Sequence, residues 1–369
     1  MDFIFYLFVI SFSILVFYQV FWFSVLTLYK GTSASMASII DETPKVSVLI
    51  CAKNEADNLQ QNLPLIFLQK YPDFEVIVVD DRSTDDTYEV LKNFESKYKL
   101  LKIIRVSDSG LKGKRNALKT GLEHVNGAFV LLTDADCSPS SENWILSMLQ
   151  STENLTADVV LGSAPLKGNS LAAEFHRFET VKTLLLYQSA ALHNFPYMGV
   201  GRNMLVRTKI YKEAFEKTAN INVISGDDDL LINQLNPSVK VKINISEDAL
   251  MHSKAAETLN LFFKKKRRHL SAGNFYSLKS KLYNISFVGS HVLTYLSFFI
   301  LSFMNYEKLN LIFLMMFFNY FSGILVFSYI AITLHQKDLI KKYPVYDLLY
   351  SIYFLILGTT MIWKPQKWN

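Results

Sequence analysis

Apolar positions run almost unbroken over residues 3–29, then stop at Lys30 and a polar stretch, 31–43. As a helix, 3–29 would be about 40 Å long, enough to cross a bilayer with some tilt. No basic residue precedes it and its apolar part is long, which argues against a cleaved signal peptide. From Pro44 the pattern changes. Short apolar runs at 46–51, 74–79, 101–106, 128–132 and 158–163 alternate with amphipathic stretches at 58–69, 85–98 and 114–124. Strands alternating with helices predict an α/β domain with a mainly parallel sheet and right-handed crossovers. Helices are further expected over 171–192, 210–217 and 225–235, a short strand after the turn Gly199-Val200-Gly201-Arg202-Asn203, and a last strand over 241–245.

The chain then turns apolar again. Residues 259–282 place Leu261, Phe262 and Phe263 beside Lys264-Lys265-Lys266-Arg267-Arg268-His269, with Phe275 and Leu278 following. Basic residues next to an aromatic face predict an amphipathic helix lying in a membrane interface; a solvated charged face is the competing reading. Apolar segments at 285–304, 309–334 and 348–363 follow, the last short enough to be either a span or a re-entrant helix. Lys337, Lys341 and Lys342 place the loop between the last two in the cytoplasm. The middle domain then falls on the cytoplasmic side and the N-terminus outside. The tail lysines, Lys364 and Lys367, prefer the cytoplasm, yet four full spans would put them outside.

Composition agrees with this division. Of 369 residues, 50% are hydrophobic and 14% aromatic, and the excess sits at the two ends. The two cysteines, Cys51 and Cys137, suit a reducing compartment without a disulfide framework. The net charge of +5 owes much to the run 264–268, which favours a membrane surface or an anionic substrate over nucleic acid.

Chemistry concentrates where predicted strands end. The first strand runs into Lys53-Asn54-Glu55, a polar loop that opens a helix. The second empties into Asp80-Asp81, followed by Ser83, Thr84 and Asp85. Carboxylates at that edge either accept hydrogen bonds from a base imide or ribose hydroxyls, or cap the next helix. Gly113-Lys114-Arg115 sets cations at a helix start, a place for an anion, without the spacing of a P-loop. The fourth strand delivers Asp134 and Asp136, one residue apart. Two such carboxylates suit a hard divalent cation carrying substrate phosphates, or form a solvated pair before the helix near Ser141. Finally, Asp227-Asp228-Asp229 opens a helix whose dipole favours acids. Mutual repulsion among three could raise one pKa into the range of a general base.

The ordered set of Asn-Glu, Asp-Asp, Gly-Lys, Asp-x-Asp and Gly-Asp-Asp resembles the inverting, membrane-bound glycosyltransferases of family 2, over residues 44–273, with flanking apolar segments arranged as in that family. The resemblance implies the GT-A fold for a domain at 44–255: a Rossmann-like, mainly parallel α/β sheet, plus N- and C-terminal transmembrane helices. It implies donor-binding roles for Asn54, Glu55, Asp80, Asp81, Lys114 and Asp134, with Asp80 and Asp81 toward the nucleoside. Asp134 and Asp136 would hold Mg²⁺ or Mn²⁺ on the donor diphosphate, and Asp228 would be the catalytic base. Asp227, Gly201, Asn203, Arg267, Arg268 and His269 would serve the acceptor or the diphosphate.

One motif departs from the family. Where its membrane synthases carry Gln-x-x-Arg-Trp, this chain reads Lys265-Lys266-Arg267-Arg268-His269. Arg268 is kept; Gln and Trp are replaced by Lys265 and His269. The Arg-Arg-His form is similar to enzymes that glycosylate a lipid once, such as ceramide glucosyltransferases. The expectation is an integral membrane protein, of the cell membrane with its catalytic domain cytoplasmic. It would move a sugar from a nucleotide-sugar to a hydroxyl of a lipid or membrane-tethered glycan, non-processively and without nucleic-acid partners. A processive polysaccharide synthase, a nucleotidyltransferase and a catalytically inactive membrane scaffold are the alternatives.

Overall fold

A computed structural model describes residues 2–29, 43–106, 113–218 and 227–363. Residues 31–42 of the expected linker 31–43, the Ser225-Gly226 start of the expected helix 225–235 and the tail lysines lie outside them. The chain divides into two compact units: Met1–Tyr29, Asn169–Ala190 and Ala256–Asn369 form one, and Lys30–Gly168 with Ala191–Ala255 the other.

The second unit is built, among the described residues, on ten short strands. They are β1 (Val46–Ala52), β2 (Phe74–Asp80), β3 (Leu101–Arg105), β4 (Phe129–Asp134), β5 (Ser138–Pro139), β6 (Val159–Gly162), β7 (Leu166–Lys167), β8 (Met204–Arg207), β9 (Val241–Asn244) and β10 (Met251–Lys254). Seven make one sheet in the order β3-β2-β1-β4-β8-β6-β9, and β5-β10-β7 make a second. The large sheet is mainly parallel, as expected; β8 alone runs antiparallel to its neighbours β4 and β6. β1, β2 and β4 are almost continuously buried. Parallel strands covered by helices on both faces require such uninterrupted apolar runs. Two consequences position the site. The order β2-β1-β4 reverses direction between β1 and β4, the switch point where open α/β sheets bind ligands. In register, Cys51 pairs with Asp134, Ala52 with Asp80, and Asp80 with Arg105. The acids that close β2 and β4 therefore flank the end of β1.

The first unit is helical. Three helices among the described residues are long and apolar enough to cross a membrane: Asp2–Leu28, Leu278–Phe303 and Leu309–Thr333. The helix Tyr343–Trp363, over the fourth expected span, is not among them. The expected single interfacial helix at 259–282 is broken. A helix Leu259–Leu270 gives way to a 3₁₀ turn, Ser271–Phe275, and Leu278 starts the next long helix, capped by the Ser277 hydroxyl on Ser280 N. Gly273 and Asn274 are poor helix formers, and a Ser cap stabilises a fresh start.

The helix Leu171–Leu192 matches its expected limits, but for most of its length it groups with the apolar helices. A sheet domain contiguous over 44–255 is thus corrected. The reason is polar. Arg177 pairs with Asp338 (2.6 Å) and Gln336 (2.6 Å), Glu174 accepts from Lys342 and Tyr346, and Lys266 pairs with Glu179. Lys182 reaches the fully buried Asp347 at 2.8 Å, where Tyr295 donates at 2.7 Å and His291 Nε2 stands at 3.2 Å. A buried carboxylate keeps its charge only with partners of this kind. Inside this unit the basic run is not a uniformly solvated face, since Lys266 turns inward and Phe262 packs on Phe175 and Tyr353.

Candidate active site

The loops after β1 and β2 are stitched to each other. Asn54 N donates to Ser83 Oγ (2.9 Å), Glu55 N to Thr87 Oγ1 (2.8 Å), and Thr84 N to Asn54 Oδ1 (2.8 Å). Asp85 accepts from both Thr87 N and Ala56 N. Asn54 and Arg82 take left-handed φ values of 56°, which turn the chain sharply enough for these contacts. The Asn-Glu and Asp-Asp motifs are thereby one structural piece.

Asp80 is fully buried. Its Oδ1 accepts from Ser83 N (3.0 Å), while Oδ2 has no hydrogen bond among the described residues, only Arg105 Nε at 3.4 Å. Arg105 in turn lies over the Tyr88 ring, 4.7 Å from its centroid. Asp81 is nearly as buried and pairs with Arg82. A buried acceptor lacking a hydrogen bond is costly unless a partner arrives, so Asp80 Oδ2 marks a place where a donor N–H or O–H would be stabilising.

Next along the edge, Lys114 Nζ meets Asp134 Oδ1 at 2.5 Å. Burial works against the Lys114 charge, but Asp134 and then Asp228 outweigh it and raise its pKa. Lys114 therefore links electrostatically the Asp-x-Asp motif and the distant Asp228. Asp136 accepts from Ser253 Oγ (3.1 Å) and contacts Cys137 Sγ (3.4 Å). Neither group cancels its charge. Glu55 lies in the same field. Burial raises its pKa; the Asn58 amide opposes this, and the charges of Asp136, Asp134 and Asp85 add to the rise. The Cys137 thiol is pushed up by burial first, then by Asp136 and Asp134, so it is an inert neighbour.

Asp228 and Gly201, far apart in sequence, touch: Gly201 N donates to Asp228 Oδ2 at 2.5 Å. A Cβ on Gly201 would stand 3.1 Å from that oxygen, so glycine permits the approach. Asp227 opens the helix Asp227–Asn233, and its side chain lies outside the described residues.

Asn203 requires a correction. It is fully buried, its amide donates to Ser163 O (2.8 Å) and Ala249 O (2.7 Å), and its oxygen accepts from Trp144 Nε1 (3.0 Å). Every polar atom of the side chain is spent inside the domain, so it serves the fold and not an acceptor. Arg267, Arg268 and His269 lie in the last turn of Leu259–Leu270, within the helical unit, Arg268 and His269 exposed. Ser253 escapes sequence reasoning altogether, because a four-residue strand carries no periodic signal.

Two carboxylates suit a hard divalent ion, which commonly takes one or two from protein and the rest from phosphates and water. Among the described residues no three His, Cys, Asp or Glu side chains group as a metal site. The donor set fits a cation held jointly with a ligand.

The chain is similar to known glycosyltransferases. The family model "Glycosyl transferase family 2" matches residues 47–215. Glycosyltransferase AglE of Haloferax volcanii is 30% identical over 153 residues, covering 41% of this chain and 49% of that protein. The cholesterol galactosyltransferase of Borreliella burgdorferi is 34% identical over 97 residues, 26% of each chain. The chain thus spans half or less of these curated relatives. In structure, the mannosyltransferase PcManGT from Pyrobaculum calidifontis, solved with GDP-Man and Mn²⁺, superposes with a TM-score of 0.60 at 14% identity. The match covers 98% of this chain and 100% of that one, and it shows a shared GT-A fold.

Proposed function

We propose, from the premise that residues 47–215 are a family 2 glycosyl transferase domain, that this chain transfers a sugar from a nucleotide-sugar donor to a hydroxyl of a lipid or membrane-tethered acceptor, with inversion and without processive extension. The observation that carries the reading is the shared sheet edge. Asp80 and Asp81, Lys114, Asp134 and Asp136, and Asp228 come from four separate segments, and the register of β1, β2 and β4 sets the first strand-end acids side by side.

The division of labour follows from their surroundings. Asp80 Oδ2, with Arg105 drawn aside, accepts from the nucleoside, and Asp81 lies next to it. Asn54 shapes this loop, and Glu55 adds negative field beside the diphosphate position. Asp134 and Asp136 would hold Mg²⁺ or Mn²⁺, and such an ion would supply charge neutralisation to the departing diphosphate. Lys114 adds a cation for the same group. Asp228, fixed by Gly201 N, takes the proton from the acceptor hydroxyl. The incoming oxygen then bonds the anomeric carbon as the nucleoside diphosphate leaves with the bond electrons. For Asp227, Arg267, Arg268 and His269, acceptor or diphosphate binding is the working role, resting on the motifs. The three apolar helices support membrane anchoring, and Lys337, Lys341 and Lys342 support a cytoplasmic catalytic side.

The test is Asp228→Asn in the full chain. Transfer should fall by about 10²-fold or more, the scale of a lost general base, while donor binding measured by calorimetry stays near wild type. Full transfer activity in that variant would sink the assignment.

A further inference from the structure

One oxygen of Asp134, a carboxylate that would help to hold a metal, already has a cation on it. Lys114 Nζ sits 2.5 Å from Asp134 Oδ1, with the two side chains 41% and 29% exposed. Lys114 is the first residue of the helix Lys114–Leu122, so its backbone is anchored. Asp134 is the last residue of β4, locked in register beside Cys51. Among the described residues Asp136 has no such guest: its hydrogen-bond contacts are a hydroxyl and a thiol. The two carboxylates of the Asp-x-Asp motif are therefore unequal, one neutralised internally and one not.

An ammonium and a dication cannot share one carboxylate oxygen without strong repulsion in a half-buried site. Metal entering alone must evict Lys114 and leave its charge uncompensated near the incoming ion. A nucleoside diphosphate changes that balance, because its phosphate oxygens offer Lys114 a new partner at the moment Asp134 is released. We propose that Lys114 is an internal counter-cation of Asp134 that keeps the divalent ion out until a diphosphate is present, making metal and donor binding mutually dependent. The proposal rests on the metal reading of Asp134 and Asp136 given above. It makes Lys114 a positioning residue that governs binding order, in addition to a diphosphate contact. Linkage requires the dependence to be reciprocal, the nucleotide tightening the metal by the same factor that the metal tightens the nucleotide.

The experiment titrates Mn²⁺ into the full chain in detergent and follows the free-ion electron paramagnetic resonance signal, first without nucleotide and then with UDP or GDP. Wild type should bind Mn²⁺ weakly alone and about 5- to 150-fold more tightly with the matching nucleotide, the usual span of such coupling. Lys114→Met and Lys114→Gln should bind Mn²⁺ more tightly than wild type without nucleotide, and the nucleotide should add little. Lys114→Arg, which keeps the charge, should resemble wild type. Wild-type coupling together with unchanged nucleotide-free affinity in Lys114→Met and Lys114→Gln overturns the counter-cation role and leaves the metal site standing. Absence of Mn²⁺ binding by wild type under every condition, or retention of full binding in an Asp134→Asn/Asp136→Asn double variant, overturns the metal site and the proposal with it.

Discussion

At the residue scale, the site is a balance of like charges. Asp134 is relieved by Lys114 and Asp228 by a backbone N–H, but Glu55 is left in the field of its neighbours. Its raised pKa means that the folded state disfavours its charge. The sign follows from linkage. Above both the folded and unfolded pKa values Glu55 is ionised in both states and destabilises the fold; below the unfolded value it is protonated in both and the penalty is gone. Glu55→Gln, which can still accept from Asn58, should therefore raise the melting temperature at neutral pH. The gain should fade as the pH falls toward about 4, the ordinary Glu range. Equal gains at both pH values would show that neither burial nor the charges of Asp136, Asp134 and Asp85 disfavour the Glu55 carboxylate.

Strands and loops tell which residues serve ligand and which serve the fold. Asn203 ties three segments together, and a Cβ on Gly162 would come within 2.5 Å of its amide, so the two positions fit only as a pair. Asn203→Ala takes the side-chain partner from the Ala249 carbonyl and the Trp144 indole N–H, while the Ser163 carbonyl still accepts from Met251 N. It should destabilise the sheet unit by about 2 kcal/mol or more, taking about 1–3 kcal/mol per orphaned group. Measured well below its melting point, the variant should keep a near wild-type KM. A large rise in KM with unchanged stability would return Asn203 to the site. These contacts also show what was legible in the sequence. Unbroken apolar runs ending in acids disclosed β1, β2 and β4 and the edge they share. The Asn203 hub, Ser253 under Asp136 and the two-residue strands β5 and β7 were not legible. They depend on long-range contacts that no local periodicity encodes. The break of the basic helix at Ser271–Phe275 was locally written, in Gly273, Asn274 and Ser277, but the apolar pattern running through it concealed the stop.

On the scale of the whole molecule, the helical unit contains more charge than its hydropathy suggests. Lys182, Asp347, His291 and Tyr295 form a buried network among helices otherwise lined with aromatic side chains. Removing one partner of a buried ion pair costs about 3–5 kcal/mol, whereas replacing both with apolar groups is often neutral. Lys182→Met and Asp347→Leu should each lower the melting temperature in detergent, and the double variant should recover most of the loss. Additive losses would mean that the pair does not hold the helix Leu171–Leu192 in its unit.

The proposed reaction, transfer of a single sugar from a nucleotide-sugar to a membrane acceptor, can be followed by incubating membranes containing the full chain with a panel of nucleotide-sugars and weighing the extracted lipids by mass spectrometry. A lipid gaining one glycosyl unit with release of nucleoside diphosphate, dependent on divalent metal and absent in Asp228→Asn, is the expected result. A ladder of glycan products would contradict the non-processive reading. Transfer of a nucleotide with release of pyrophosphate would contradict the glycosyltransferase reading itself.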